Sequence, residues 1–174
     1  VLASVIGPDQ DVLIDDGQVR LRVITVDEGR ILCRVITAGV VHPHKGVNVP
    51  GLPLPVPSLT EKDLDDLEFA LGLGVDYVAL SFVRSRADVA ALRARIEAGG
   101  SDAWVIAKIE LKEAVAALAG ILEESDAVMI ARGDLGVEVG PAEVPLLQKR
   151  IILAALERGK PAITATQMLE SMVQ

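Results

Sequence analysis

"AVMIARGDLGVEVG", residues 127–140, decides the fold. Its first part, Ala127 to Ala131, is apolar without alternation, which fits a strand covered on both faces and therefore a parallel sheet. The run ends abruptly in Arg132-Gly133-Asp134, and Gly136 and Glu138 follow at once. In β/α sheets ligands bind at the carboxyl ends of the strands. Charges placed straight after a buried strand therefore ask what they do and with which partners.

The same design repeats on both sides. "YVALSFV" (77–83) and "WVIAKIE" (104–110) precede it as buried strands, and "PAITATQM" (161–168) follows as a fourth. Between them lie helical patterns. "SRADVAALRARIEAGG" (85–100) has Ser85 as its cap and glycines at its end, and "KEAVAALAGILEES" (112–125) reads as one helix. "AEVPLLQKRIILAALERGK" (142–160) closes at Gly159 before Pro161, and "LESMVQ" opens another helix. An earlier helix runs to about Leu71, with Ser58 and Glu61 at capping-box spacing. The strand starts lie roughly 25–35 residues apart, the size of one βαβ unit. The class is α/β, with four consecutive units. A closed (β/α)8 barrel needs eight strands and about 250 residues, so the expectation is a partial barrel. A doubly wound sheet fits the period equally, but its glycine-rich dinucleotide fingerprint is absent.

Residues 11–49 differ. "DVLIDDGQVRLRVITVDEGRILCRVITAGVV" (11–41) alternates, with turn signals at Asp15-Asp16-Gly17 and Asp27-Glu28-Gly29. It reads as an antiparallel meander with short hairpins. "KGVNVPGLPLPVPS" (45–58) reads as a linker, too proline-rich for a helix or a central strand. The expected division is residues 1–53 as a small β domain with its linker and residues 54–174 as the partial barrel. The chain begins with Val1 and stops inside a helical pattern, so both ends are expected to be cut from a longer protein.

Composition narrows the functions. Of 174 residues 51 % are hydrophobic and 24 % charged, which predicts a packed core. Aromatics are only 2 %, too few for a base-stacking platform, and the net charge of −8 argues against a nucleic-acid surface. No apolar run reaches membrane-spanning length. The one cysteine, Cys33, reads as a buried small hydrophobe in a reducing compartment.

The four strand ends are "SFVR", "AKIE", "ARGD" and "TATQM". Side chains two apart on a strand face the same way. Lys108 and Glu110 therefore project together, as do Arg132 and Asp134, and Thr164 and Thr166. Two carboxylates, Glu110 and Asp134, suit one hard cation, best Mg2+, which takes one or two carboxylates plus water and substrate oxygens. Lys108 beside them would be a point charge for a phosphoryl group or an enolate. Gly133 lets the backbone approach a ligand, and residues 134–138 can form a helical turn whose N–H groups bind an anion. Each pair taken singly could equally be a structural salt bridge; four polar ends in succession favour one shared site. His42 and His44 lack further ligands and are read as exposed. The acidic run 61–68 is read as a solvated helix face, and Met168 and Met172 as core.

"KGVNVPG", "LTEKDLDDL", "SFVRSRADV", "AKIE", "SDAVMIARGDLGVEV", "QKRII" and "GKPAITATQMLESM" follow one another here in an order and spacing that resemble the pyruvate kinase family. The resemblance runs from about residue 11 to the end, and "ARGDLG" with "ATQMLESM" is very specific. It implies phosphoryl transfer from phosphoenolpyruvate to ADP, giving pyruvate and ATP, with Mg2+ and usually K+, in a cytoplasmic homotetramer. It implies a (β/α)8 barrel with a β lid inserted after the third strand, residues 11–49 being the latter part of that lid and 54–174 the third helix to the start of the seventh. Lys108 matches the lysine that steadies the transferring phosphoryl group, and Glu110 and Asp134 match the Mg2+ ligands. Gly133, Asp134 and Thr166 match substrate-binding positions, and Lys45 a lid lysine that approaches the nucleotide phosphates. Arg132 matches a structural ion-pair partner. Leu111, Ala114 and Ala127 depart from the family's usual Asn, Gly and Gly; the first removes a helix cap, worth about 1 kcal/mol. The family's phosphate-binding arginine and K+ ligands fall outside this stretch. Two other readings compete: a non-catalytic Mg2+ and anion-binding module, and a metal-dependent aldolase or lyase of the phosphoenolpyruvate/pyruvate barrel group. Intact Lys108 counts against the first. The lid and "ATQMLESM" count against the second.

Overall fold

The computed structural model describes residues 2–52 and 57–165. Two compact units divide the chain, Val1–Pro55 and Val56–Gln174.

The first unit is a four-stranded antiparallel sheet in the order β3-β2-β1-β4. Its strands are β1 (Asp11–Ile14), β2 (Val19–Asp27), β3 (Arg30–Thr37) and β4 (Val47–Asn48). Both turn signals make hairpins. Asp27 pairs with Arg30 across Glu28 (φ 44°) and Gly29 (φ 76°), the two positive-φ positions of a type I′ turn. Ile14 pairs with Val19 across a loop in which Asp15, Asp16 and Gly17 all take positive φ. The stretch read as linker contributes β4, a two-residue edge strand on β1 that ends before the first proline at Pro50, where a missing N–H would break the ladder. Ile6, Val12, Val23 and Val49 form the core, with Cys33 partly rather than fully buried against it. Asp11 receives Arg22 and Arg20 at 2.5 Å each. Arg22 first and Arg20 second hold its carboxyl below the usual value.

The second unit carries four parallel strands in sequential order: β5 (Tyr77–Leu80), β6 (Trp104–Ile109), β7 (Ala127–Ile130) and β8 (Ala162–Thr164). No strand reverses the order, so the switch point of a doubly wound sheet does not occur among the described strands. Around them stand α1 (Glu61–Gly72), α2 (Arg86–Ala98), α3 (Lys112–Ala116), α4 (Leu118–Glu124), α5 (Arg132–Val139) and α6 (Val144–Leu156). The expected single helix over 112–125 is two. The chain tightens at Ala117 (φ −92°, ψ 11°), and Ala114 from one piece and Ile121 and Leu122 from the other reach the same core. In that core Ile109, Ile130, Leu135 and Ile151 are fully buried. Strand β6 is buried at Val105, Ile106, Ala107 and Ile109, residues of both faces, as expected of a two-sided strand. Lys108 is the partly exposed residue within it.

Polar ties hold the amino-terminal ends of the strands. Arg93 of α2 donates to the Glu124 carbonyl and to Asp126, which also accepts the Val105 N–H at 2.7 Å. The Lys160 ammonium, just before β8, donates to the carbonyls of Leu122 and Ser125 at the end of α4. A lysine there satisfies carbonyls that no helical N–H can reach. Among the described residues no helix is long and apolar enough to cross a membrane.

Capping corrects one expectation. The cap of α1 is Thr60, reciprocally bonded with Asp63, and Ser58 does not cap that helix. Its hydroxyl instead donates to Asp88 at 2.7 Å. Asp88 also accepts the N–H groups of Arg84 (2.9 Å) and Ser85 (2.8 Å) and the Ser85 hydroxyl (3.1 Å). Burial pushes this carboxyl up, but the donors outweigh it and hold it below the usual value. A lowered folded-state pKa stabilises above the unfolded aspartate range, and that stability is lost as pH falls through the lowered value. Asp88→Ala is expected to cost about 1 kcal/mol, the scale of a lost cap. Asp88→Asn should in addition flatten the acid side of the stability curve. Thermal melts of the three proteins between neutral pH and pH 3 check this; unchanged melting and an unchanged acid limb would reduce Asp88 to a surface residue.

Candidate functional site

The carboxyl end of β6 brings together the pair expected from spacing. Lys108 Nζ lies 2.8 Å from Glu110 Oε1. Ile109 between them turns into the core and is fully buried. The Glu110 side chain is only 1 % exposed, whereas that of Lys108 is 26 % exposed. A carboxylate so deep needs donors, because an unpaired buried charge is costly. One comes from the neighbouring strand end: the Phe82 N–H donates to Glu110 Oε2 at 2.6 Å. The Lys108 ammonium itself donates to the Ser81 hydroxyl at 2.8 Å. The other oxygen, Oε1, is buried and faces the Lys108 ammonium at 2.8 Å.

Sequence reasoning noted "SFVR" only as a polar strand end. Ser81 is visible there as a hydroxyl three residues before the cationic Arg84. Phe82 acts through its main chain, which no side-chain pattern announces.

The end of β7 differs from expectation in one respect. Arg132 and Asp134 do not continue the strand; both lie in the first turn of α5, which begins at Arg132. Helix geometry turns residues two apart to different sides, so the same-face argument applies to Lys108 and Glu110 and fails for this pair. Arg132 is buried and donates through Nε to the Ala165 carbonyl at 2.6 Å, with a second bond from its other guanidinium nitrogen. It therefore ties the start of α5 to the end of β8. Asp134 and Gly133 are partly buried. The first intrahelical bond of α5 runs from the Leu135 N–H to the Ala131 carbonyl. The amides of Gly133 and Asp134 precede it, at the positive end of the helix dipole.

Strands β6, β7 and β8 are adjacent and parallel, Ile109 opposite Ile130 and Ile130 opposite Thr164. Lys108, Glu110, Gly133, Asp134 and Thr164 thus share one edge of the sheet. Thr166, Met168 and Met172 lie outside the described residues. Lys45 belongs to the first unit, where its ammonium is 2.9 Å from Asp15. His42 and His44 are exposed, as expected.

Glu110 and Asp134 are the residues that could hold a metal ion. Both offer oxygen, the donor of hard cations. The buried Oε1 meets one partner, the Lys108 ammonium, and a carboxylate oxygen can accept a second, so it keeps capacity for a cation. Among the described residues no group of three or more His, Cys, Asp or Glu side chains is gathered for a metal. A cation here would complete its shell with water and ligand oxygens, the habit of Mg2+.

Comparison with known proteins places the chain in a family. The family model described as "Pyruvate kinase, barrel domain" matches residues 1–174. A pyruvate kinase of Corynebacterium efficiens is 52 % identical over 173 residues, covering 99 % of this chain and 36 % of that protein. One of Mycobacterium tuberculosis is 52 % identical over 163 residues, 94 % of this chain and 34 % of its own length. The crystal structure of a pyruvate kinase from Cryptosporidium parvum superposes with a TM-score of 0.87 at 37 % identity, over 99 % of this chain and 36 % of that one. The chain therefore spans about a third of the length of the relatives it matches. By the match of residues 1–174 to the family model and by 52 % identity to such a relative over 99 % of its own length, the chain belongs to the pyruvate kinase family.

Proposed function

We propose that this chain is the part of a pyruvate kinase that carries much of its catalytic site, transferring the phosphoryl group of phosphoenolpyruvate to ADP to give pyruvate and ATP. The observation that carries the reading is the Lys108–Glu110 pair at the end of β6, a buried carboxylate 2.8 Å from an ammonium at the carboxyl end of the sheet. The sequential parallel sheet supports a partial (β/α)8 barrel, and the antiparallel first unit supports part of the inserted lid. The family membership supports a need for Mg2+ and K+, a cytoplasmic location and a homotetramer of the whole enzyme.

The residues divide the work by their chemistry. Glu110 and Asp134 would hold Mg2+. That ion, when bound, supplies positive charge to the phosphoryl oxygens. Lys108 adds a second positive charge, held by the Ser81 hydroxyl and Glu110 until substrate oxygens compete for it. Such charge is worth most when negative charge spreads over the phosphoryl oxygens between donor and acceptor. The amides of Gly133 and Asp134 at the start of α5, with Thr166, bind the substrate carboxylate. Arg132 holds α5 in place through Ala165 and does not touch substrate. Lys45, now paired with Asp15, meets the nucleotide phosphates.

Lys108→Met in the whole enzyme is expected to lower kcat by about 100-fold or more, the scale of one preorganised electrostatic contact, with little change in KM for phosphoenolpyruvate. That split marks an interaction made mainly in the transition state. A lysine that only bridges strands would instead lower the melting temperature and leave kcat of the folded fraction intact.

Asp134→Asn is expected to weaken Mg2+ binding, so that raising Mg2+ partly restores the rate. Glu110→Gln should do the same, with an added loss of stability because the Lys108 ammonium then lacks its counter-charge. Titrating activity against Mg2+ checks both; wild-type metal dependence in both variants would move the metal elsewhere.

A further inference from the structure

Phe82 stands in a conformation that its side chain disfavours. Its φ is +53°, the left-handed region that non-glycine residues seldom enter. The ring does not explain this, since Phe82 is half exposed. The main chain does. Leu80 before it and Val83 after it are both buried, at 6 % and 0 % exposure. Both belong to the core, so the bend at Ser81 and Phe82 is held from both sides, and the left-handed residue lies in that bend. With Ser81 and Phe82 held at the strand end, the N–H of Phe82 meets Glu110 Oε2 at 2.6 Å. Strain of this kind persists where packing on both sides over-determines it, and it clusters at functional sites.

The consequence falls on the two oxygens of one carboxylate. Oε2 is engaged by the main-chain amide, whereas Oε1 faces the side-chain ammonium of Lys108 at 2.8 Å. We propose that Phe82 is a positioning residue for the cation site: its left-handed main chain fixes the Glu110 carboxylate through Oε2, so that Oε1 is the oxygen offered to the metal. The role lies in the backbone, and the phenyl ring is dispensable to it. The inference rests on the reading of Glu110 as a metal ligand.

The test uses the whole enzyme, free of substrate and nucleotide, with Mn2+ as the probe. Free Mn2+ is counted by its electron paramagnetic resonance signal, which reads binding without turnover. Phe82→Gly keeps the N–H and adopts positive φ without strain; its Kd for Mn2+ should stay within about two-fold of the parent, with an equal or higher melting temperature. Phe82→Val keeps the N–H but disfavours the left-handed region strongly; its Kd should rise about ten-fold in folded protein. A folded Phe82→Val with parental Kd overturns the proposal. So does a ten-fold loss in Phe82→Gly, which would assign the effect to the ring. Should Phe82→Val fail to fold, Phe82→Ala decides: parental Kd is expected, and a ten-fold loss again points to the ring and overturns the proposal. Glu110→Gln separates the two levels. If it binds Mn2+ as the parent does, the ligand reading fails and the positioning role with it; if it loses binding while Phe82→Val does not, only the positioning role fails.

Discussion

One buried carboxylate, that of Glu110, sets the terms for the carboxyl end of the sheet. An ionised side chain at 1 % exposure would be expelled or neutralised without partners close at hand. The two it has come from different strands: the Phe82 amide from the end of β5 and the Lys108 ammonium from β6 itself. Both depend on register. Leu80 lies opposite Ala107, so the residue after β5 stands beside Lys108, and the next beyond it reaches Glu110. A slip of one residue between β5 and β6 would send Lys108 into the core and strand the carboxylate. The pair is thus a lock on strand alignment as well as a piece of chemistry.

The parts legible from sequence were those governed by short-range rules. "DDG" and "DEG" announced the hairpins because two or three successive residues must accept positive φ. The unalternating runs announced two-sided strands, and β6 is buried as such runs demand. The spacing of two announced that Lys108 and Glu110 share a face. What escaped was set at longer range or by the main chain. Ser58 looked like a helix cap, but its hydroxyl goes to Asp88, thirty positions on, a partner no local pattern can name. Arg132 and Asp134 looked like a strand pair because they lie two apart after an apolar run; instead α5 starts at once, and Arg132 is drawn to the Ala165 carbonyl. Phe82 contributes an N–H, which every residue but proline owns.

The two ends of the parallel sheet use their polar groups differently. At the amino-terminal ends, Asp126 takes both Arg93 and the Val105 N–H, and the Lys160 ammonium is shared among carbonyls at the end of α4. These ties hold the layer of helices against the sheet, although the buried Ser125 hydroxyl beside them has no hydrogen-bond partner among the described residues. At the carboxyl end, Glu110 pairs with the Lys108 ammonium, and Gly133 and Asp134 present amides that precede the ladder of α5. In β/α folds one face carries stability and the other binding.

It also explains how the sequence tolerates Leu111. Helix α3 begins there with no side-chain cap, one residue after the buried carboxylate. Were Glu110 aimed by the helix that follows, a loosened first turn would swing it. Its anchor is instead β5, through an amide that sits on the opposite side of the strand pair from α3 in sequence and is fixed by Leu80 and Val83 in the core. A missing cap therefore costs helix stability, about 1 kcal/mol, and leaves the Lys108–Glu110 geometry to the sheet. The charged pair is insulated from the uncapped helix start beside it, because the strand that precedes it in the chain, rather than the helix that follows, holds it in place.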